Sequence, residues 1–320
     1  MSSWDFTTLG STMLSLTTDP GVPFLSSVGL RLDVAGAESN CAIALARLGK
    51  RASWHSKVAR GTLGERVVSG VQAHGVDVSS VIRSDEGRTE QMWVEAGLGD
   101  NLTSITYDRD GASVAGLRID ELDLHSLHDS QYFHATGITP ALSEDCRNAI
   151  LDAVQLAGRA GVKVSFDVNY RSKLWQPCRA QEVLSTIIPG IHLLFIKERD
   201  LELLWGRGGD AEEELRRLKD EFGIANIVLT QGRKGASALL GDQFESHAAF
   251  DGEAVSPIGA GDALAAGVLY SLMEGEQELA LKRGCAMASL ARESRGDYVI
   301  GGKQALDARM QGEVSRGLCR

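Results

Sequence analysis

The chain has 320 residues, 43% of them hydrophobic and 24% charged, which is enough for a large α/β domain. Its formal net charge of -10 and pI near 5.3 argue against nucleic acid or a membrane surface as partner, since both demand a basic face. The five cysteines are scattered and odd in number, without metal-ligand or redox spacing, no basic residue precedes Arg31, and no apolar run approaches the ~18–20 residues of a membrane span; the expectation is a cytoplasmic protein with reduced thiols.

Asp5–Leu9 reads as a short strand ending at Gly10, and residues 11–33 are irregular, with turns at Pro20, Gly21 and Pro23. Helical spacing starts at Asn40 and stops at Gly49. A strand over Ala52–Ala59, a helix over Glu65–His74 opened by Gly61 and Gly64, and an extended stretch from Val76 to Ile82 follow. Arg88–Glu95 and Thr103–Tyr107 alternate like an antiparallel hairpin around the turn-rich Ala96–Asn101. Beyond it come strand Gln131–Ala135, helix Ser143–Ala160, strands Lys163–Asp167 and Leu193–Ile196, helix Ala211–Phe222, strand Ile227–Thr230, a hairpin through Ala236–His247 and helix Ala263–Met273. Alternating βα units predict one α/β domain over residues 1–320, with a parallel sheet covered on both faces. Ligands of such sheets collect beyond the carboxyl ends of the strands, here at loops 136–139, 168–175, 197–200, 231–235 and 259–262. The two non-alternating pieces, about 11–35 and 88–115, form either a small lid or a surface hairpin.

Chemistry concentrates in Ser256-Pro257-Ile258-Gly259-Ala260-Gly261-Asp262, which opens the apolar helix. Gly259 and Gly261 let successive N–H groups converge on one point at a helix N-terminus, which attracts anions. Asp262 is either a plain N-cap or a general base beside that nest, and the second arrangement suits phosphoryl transfer to a hydroxyl. Asn40 is likewise either an N-cap or, with the amides of Gly36, a ligand for a polyhydroxylated substrate. Arg171, in the loop after the strand ending at Asp167, suits a carboxylate or phosphate, or else is a solvated surface group. Asp297 reads from the sequence as an ordinary turn residue, and the glycines of Thr230-Gln231-Gly232-Arg233-Lys234-Gly235 as a hairpin turn. No Walker-type phosphate loop is present.

The Gly-Ala-Gly-Asp turn resembles the signature of the ribokinase-like (PfkB) carbohydrate kinases, in which the aspartate is catalytic. Ala35-Gly36 into Asn40, with the helix closing Ala-Arg-Leu-Gly, is similar to that family's sugar-binding signature, with Ala35 in place of its first glycine. The stretches Asp167-Val168-Asn169-Tyr170-Arg171, Thr136–Ser143 and Ser294-Arg295-Gly296-Asp297 resemble the branch that phosphorylates 2-keto-3-deoxygluconate. The resemblance implies a three-layer αβα fold with a β-sheet lid, ATP and Mg2+ as cofactors, Asp262 as base, and Gly259, Ala260 and Gly261 around the transferred phosphoryl group. It implies further that Gly36, Asn40, Tyr107, Arg109, Arg171 and Asp297 hold the substrate, the two arginines facing its carboxylate. Asn169, Arg171, Lys197, Thr230, Gly232, Gly235, Gly259, Gly261 and Cys285 would line the nucleotide, and Asp200 the metal. Lid strands in relatives often pair between subunits, so a homo-oligomer, a dimer or larger, is expected. Two departures stand out: Lys197 and Asp200 replace an Asn-x-x-Glu pattern, and Ser11 stands where relatives place an acid. A kinase of fructose or of 2-keto-3-deoxygalactonate, or a regulator that has lost turnover, are the alternative readings.

Overall fold

The computed structural model describes residues 3–97, 103–252, 255–256 and 258–312, so most of the turn at 96–101, Pro257 and Cys319 lie outside the described residues. The amino-terminal part contains strands β1 (Trp4–Leu9), β2 (Met13–Thr17) and β3 (Arg31–Ala35), helix α1 (Ala37–Arg47), strands β4 (Ala52–His55) and β5 (Lys57–Ala59), helix α2 (Thr62–Gln72), and strands β6 (Ile82–Ser84), β7 (Gln91–Glu95) and β8 (Ser104–Asp108). The middle part runs through α3 (His125–His128), β9 (Ser130–Thr136), α4 (Glu144–Arg159), β10 (Lys163–Asp167), α5 (Pro177–Ile187), β11 (Leu193–Lys197), α6 (Glu198–Trp205) and α7 (Ala211–Phe222). Strands β12 (Asn226–Thr230), β13 (Ala236–Leu240) and β14 (Gln243–His247) precede helices α8 (Ala260–Glu274), α9 (Ala280–Arg292) and α10 (Lys303–Met310).

The main sheet has the order β14-β13-β12-β11-β10-β9-β1-β4, parallel except for the antiparallel edge pair β13 and β14. Successive residues of a strand point to opposite faces, and the core divides accordingly. Phe6, Tyr132, Phe195 and Val228 pack with α1, α2, α8 and α9 on one face, whereas Leu9, Phe133, Phe166, Leu194 and Ile227 pack with α4, α5, α6 and α7 on the other. This is the expected three-layer α/β arrangement. No helix among the described residues is long and apolar enough to cross a membrane.

A separate four-stranded sheet, β3-β2-β7-β8, assembles from the two pieces that break the alternation. Met13, Ala35, Met92 and Val94 form its apolar inner face, against which Ile105, Tyr107 and Ile258 pack. Ile258 immediately precedes the Gly259 turn, so this small sheet lies over the mouth of α8.

Several boundaries differ from the sequence expectation. The strand predicted over Ala52–Ala59 is two strands, because β1 ends at Leu9 and Gly10 N takes the last carbonyl, His55 O, at 3.1 Å; beyond it Ile82 N donates to Ser56 O, and β5 pairs with β6. Extended structure after Val76 is thereby confined to Ile82–Ser84 and an isolated bridge at Asp77. Helix α2 begins at Thr62 rather than Glu65, and Gly64 lies inside it, where a Cβ would come within 1.8 Å of Ala59 O. Its glycine is a packing requirement, not a helix start. Helix α1 begins at Ala37 with Gly36 as its cap, so Asn40 is not an N-cap; α8 begins at Ala260, which puts Asp262 inside its first turn. Helices α3, α5, α6, α9 and α10 have no counterpart among the predicted spans.

Candidate active site

The strand order brings Thr136, Asp167, Lys197 and Thr230 into one row, since each closes a parallel strand next to its neighbour in the sheet. The mouth of α8 faces that row. Gly259 has φ 77° and ψ -5°, and a Cβ there would meet Asp297 O at 1.9 Å, so both the left-handed backbone and the close approach require glycine. The first helical bond runs from Ala263 N to Gly259 O at 2.9 Å, which leaves the amides of Ala260, Gly261 and Asp262 ahead of it as donors at a helix N-terminus.

Asp262 Oδ2 accepts a 2.8 Å hydrogen bond from Asn40 Nδ2, delivered by α1, which packs on α8. Burial pushes the Asp262 carboxyl above the ordinary aspartate range, while Asn40, Arg171, Lys197 and Asn169 pull it back. Asp167, buried at the end of β10, rises to about 7 through desolvation; Lys197 opposes this, and Asp262 and Asp200 add to it. Its Oδ1 accepts from Asn169 N at 3.0 Å, and that short turn holds Asn169 at φ 37°, a conformation asparagine tolerates better than most residues. Lys197 Nζ donates to Asn169 Oδ1 at 3.4 Å and draws down the carboxyls of Asp167, Asp200 and Asp262. The departure at Lys197 therefore has a local physical reason: three poorly solvated carboxylates surround it, and a half-buried cation offsets them.

Asp200 accepts from Tyr170 N at 3.3 Å, is itself raised by burial, and feels Arg171, as does Asp262. Among the described residues no three carboxylate, imidazole or thiol groups converge in a metal cage. That donor set suits a metal held by one or two carboxylates, phosphates and water, the usual coordination of Mg2+, and does not suit an all-protein site.

On the lid side, the Arg109 guanidinium lies over the Tyr107 ring at 5.0 Å and Lys173 Nζ near the same ring at 5.7 Å. Lys173 also donates to Ile105 O at 3.0 Å, tying the 168–175 loop to β8. Gly36 needs its glycine because a Cβ would meet Ser11 O at 2.3 Å. Asp297, buried behind the Gly259 turn, has its carboxyl pushed up to about 6 by desolvation, against a hydrogen bond from Ser15. It is thus a packed residue of the site wall and not the ordinary turn residue that its sequence context allows.

Thr230, Gly232 and Gly235 stand on the β12 side of the row. Gln231 Nε2 donates to Glu198 Oε1 at 2.9 Å, which binds this loop to the start of α6. Gly235 has φ 110°, and a Cβ would lie 2.0 Å from His247 O. Cys285 is buried beneath, its Sγ 3.8 Å from the same carbonyl and its thiol pushed up to about 11 by burial, so it acts here as a packing group.

Glu38 escaped the sequence reading. Its Oε1 accepts from Thr136 Oγ1 at 2.8 Å and Thr139 Oγ1 at 2.7 Å, and burial raises the carboxyl to about 7. Gly10 exists to make room for it, since a Cβ would sit 2.2 Å from Glu38 Cδ. Only its place between Ala37 and Ser39 in a small-residue helix hinted that a carboxylate was being buried.

A ring of ionisable carboxylates beside free helix amides, with Lys197 and Arg171 to compensate charge, can take a proton from a hydroxyl and stabilise an anion next to it. Comparison with known proteins points the same way. Residues 21–300 match the description pfkB family carbohydrate kinase. The chain is 36% identical over 297 residues to a 2-dehydro-3-deoxygalactonokinase of Haloferax volcanii, covering 92% of this chain and 93% of that protein. It is 32% identical over 278 residues to a 2-dehydro-3-deoxygluconokinase of Bacillus subtilis, covering 82% of each. The crystal structure of a 2-dehydro-3-deoxygluconokinase of Thermotoga maritima shares the fold, with a TM-score of 0.91 at 23% identity over 97% of this chain and 100% of that one. Together with the Gly259–Asp262 turn and the sheet that covers it, these matches establish that the chain belongs to the pfkB family of carbohydrate kinases.

Proposed function

We propose that the protein phosphorylates the terminal hydroxyl of a 2-keto-3-deoxy sugar acid, 2-keto-3-deoxygluconate or its C4 epimer 2-keto-3-deoxygalactonate, with ATP and Mg2+. The observation that carries the reading is Asp262, held by Asn40 at 2.8 Å beside unpaired amides and within the field of Arg171 and Lys197. The motif stretches favour the gluconate epimer, and the name of the Haloferax volcanii relative supports the galactonate epimer.

Asp262 serves as the base that accepts the hydroxyl proton, and the amides of Ala260, Gly261 and Asp262 receive charge on the transferring group. Lys197, Asn169, Thr230, Gly232 and Gly235 face the nucleotide phosphates, with Cys285 packed beneath that loop. Asp200 is the residue best suited to hold Mg2+, which supplies charge neutralisation on the nucleotide phosphates. Gly36, Asn40, Tyr107 and Asp297 line the sugar side, and the small sheet acts as a lid that excludes water, so that the sugar hydroxyl is phosphorylated and solvent is not.

Arg171 is assigned to the substrate carboxylate. Loss of a charged hydrogen bond is worth about 1.5–3 kcal/mol, so Arg171→Ala should raise KM for the sugar acid about 10- to 100-fold while leaving a neutral sugar such as fructose unaffected. Coupled ADP release across a panel of sugars and sugar acids, with products identified by mass, ranks the substrates. Preference for a neutral sugar, unchanged by Arg171→Ala, would exclude the sugar-acid reading.

A homo-oligomer also belongs to this reading. Leu25 and Val28 are fully exposed, with Phe24, Leu30 and Leu32 beside them, an apolar patch on the lid segment that a second copy would cover. Sedimentation should show a dimer or larger that Leu25→Asp with Val28→Asp converts to monomer; a wild-type monomer would refute it.

A further inference from the structure

Glu90 lies at the junction of the lid with the body. The antiparallel register that pairs Gln91 with Asp108 and Met92 with Tyr107 sets Glu90 opposite Arg109. Met92 and Val94, which alternate in step with Glu90, point into the apolar cluster that holds Tyr107 and Ile258, so Glu90 shares the face that overlooks the Gly259 turn. Its side chain is 3% exposed, and Arg109 Nε lies 3.7 Å from its Oε2. Among the described residues, neither Glu90 carboxylate oxygen nor Arg109 Nη1 makes a hydrogen bond of normal geometry; the Ser11 hydroxyl is the nearby donor. Burial pushes the Glu90 carboxyl up, against the pull of Arg109 and then of the Ser11 hydroxyl.

Buried polar groups are almost always paired, so an unfilled acceptor and an unfilled donor side by side mark the place of a missing group. That group has to donate to Glu90 and accept from Arg109. A carboxylate only accepts and an ammonium only donates, whereas a hydroxyl does both. We propose that Glu90 and Arg109 together read one hydroxyl of the sugar acid, Glu90 accepting its hydrogen and Arg109 Nη1 donating to its oxygen, which makes Glu90 a specificity-determining residue. Because Glu90 already balances the charge of Arg109, the substrate carboxylate falls to Arg171 alone and not to both arginines. This inference rests on the sugar-acid reading above.

The test uses Glu90→Gln and Glu90→Ala in the full chain, with thermal melting to confirm folding. Substrates are both C4 epimers and the 4-deoxy and 5-deoxy forms of the preferred one. Glu90→Gln should lower kcat/KM for the preferred epimer about 10- to 100-fold, mainly through KM, with KM for MgATP unchanged. With one of the two deoxy analogues, wild type and variant should become equal, because the hydroxyl that Glu90 reads is gone. Equal losses with the parent and both analogues, or no loss with any, overturn the proposal. If wild type phosphorylates only a neutral sugar, the sugar-acid reading fails separately, and the same comparison on monodeoxy forms of that sugar decides the role of Glu90.

Discussion

Asp262→Asn is expected to lower kcat by about 10²- to 10⁴-fold, the range that a positioned general base contributes, while most of the ATP affinity survives. Asparagine keeps the shape of the side chain and an oxygen for Asn40 Nδ2, so the contact between α1 and α8 persists. The variant should be at least as stable as wild type at neutral pH. Burial holds the folded-state pKa of Asp262 above its unfolded value, so between the two values the folded state binds more protons, and stability falls as pH rises through that window. A neutral amide removes this burden. The same raised pKa places the acid limb of wild-type kcat/KM above the ordinary aspartate range: the base must be ionised, and activity falls as pH drops through the raised value. Steady-state kinetics against pH, with urea melts of both proteins, check these points. A folded Asp262→Asn enzyme with near-normal kcat would remove Asp262 from the role of base.

Gly259→Ala should damage both folding and turnover. A side chain at φ 77° is strained, and the obstacle at 1.9 Å is a backbone carbonyl, Asp297 O, which has no rotamer by which to move away. Strain and overpacking of this kind cost about 1–3 kcal/mol each. Relief requires the turn or the 294–297 segment to shift, which carries the helix amides away from the transferring group; loss of one such donor is worth about 10²- to 10³-fold in kcat. Gly261 is the control within the same motif. It is helical, and nothing lies within 4 Å of an added Cβ, so Gly261→Ala should fold normally, and any loss of activity there reports the approach of the ligand. Thermal melts and single-turnover rates for the pair separate the two effects. A Gly259→Ala protein as stable and active as wild type would show that the turn does not need its left-handed conformation.

The legible parts of the chain are those whose instructions lie within a few residues. Strand β10 and helix α7 coincide with their expected spans, the latter because Asp210 caps Glu213 N at one end and Gly223, at φ 64°, stops it at the other. The two segments that break the βα alternation become the separate sheet, as their turn residues and short apolar runs suggest. Legibility weakens where a boundary depends on a distant neighbour: Gly64 looks like a helix start until Ala59 O is seen against it, and β4 ends where the β1 side has no more N–H groups to offer its carbonyls.

By itself, then, the sequence determined the layered α/β class, the glycine-bounded turn at the mouth of α8, and the residue types of a phosphoryl-transfer site, because dihedral preference, periodicity and capping act over one or two turns of chain. Tertiary structure decided what those residues do to one another. Asn40 reaches Asp262 across 222 residues, Thr136 and Thr139 close on Glu38 from about a hundred residues away, and Glu90 meets Arg109 only through the register of the lid hairpin. Lys197, a mere departure from a pattern in the sequence, becomes intelligible once Asp167, Asp200 and Asp262 are seen around it. Desolvation and charge fall off with distance in space, and only the packed sheet sets those distances.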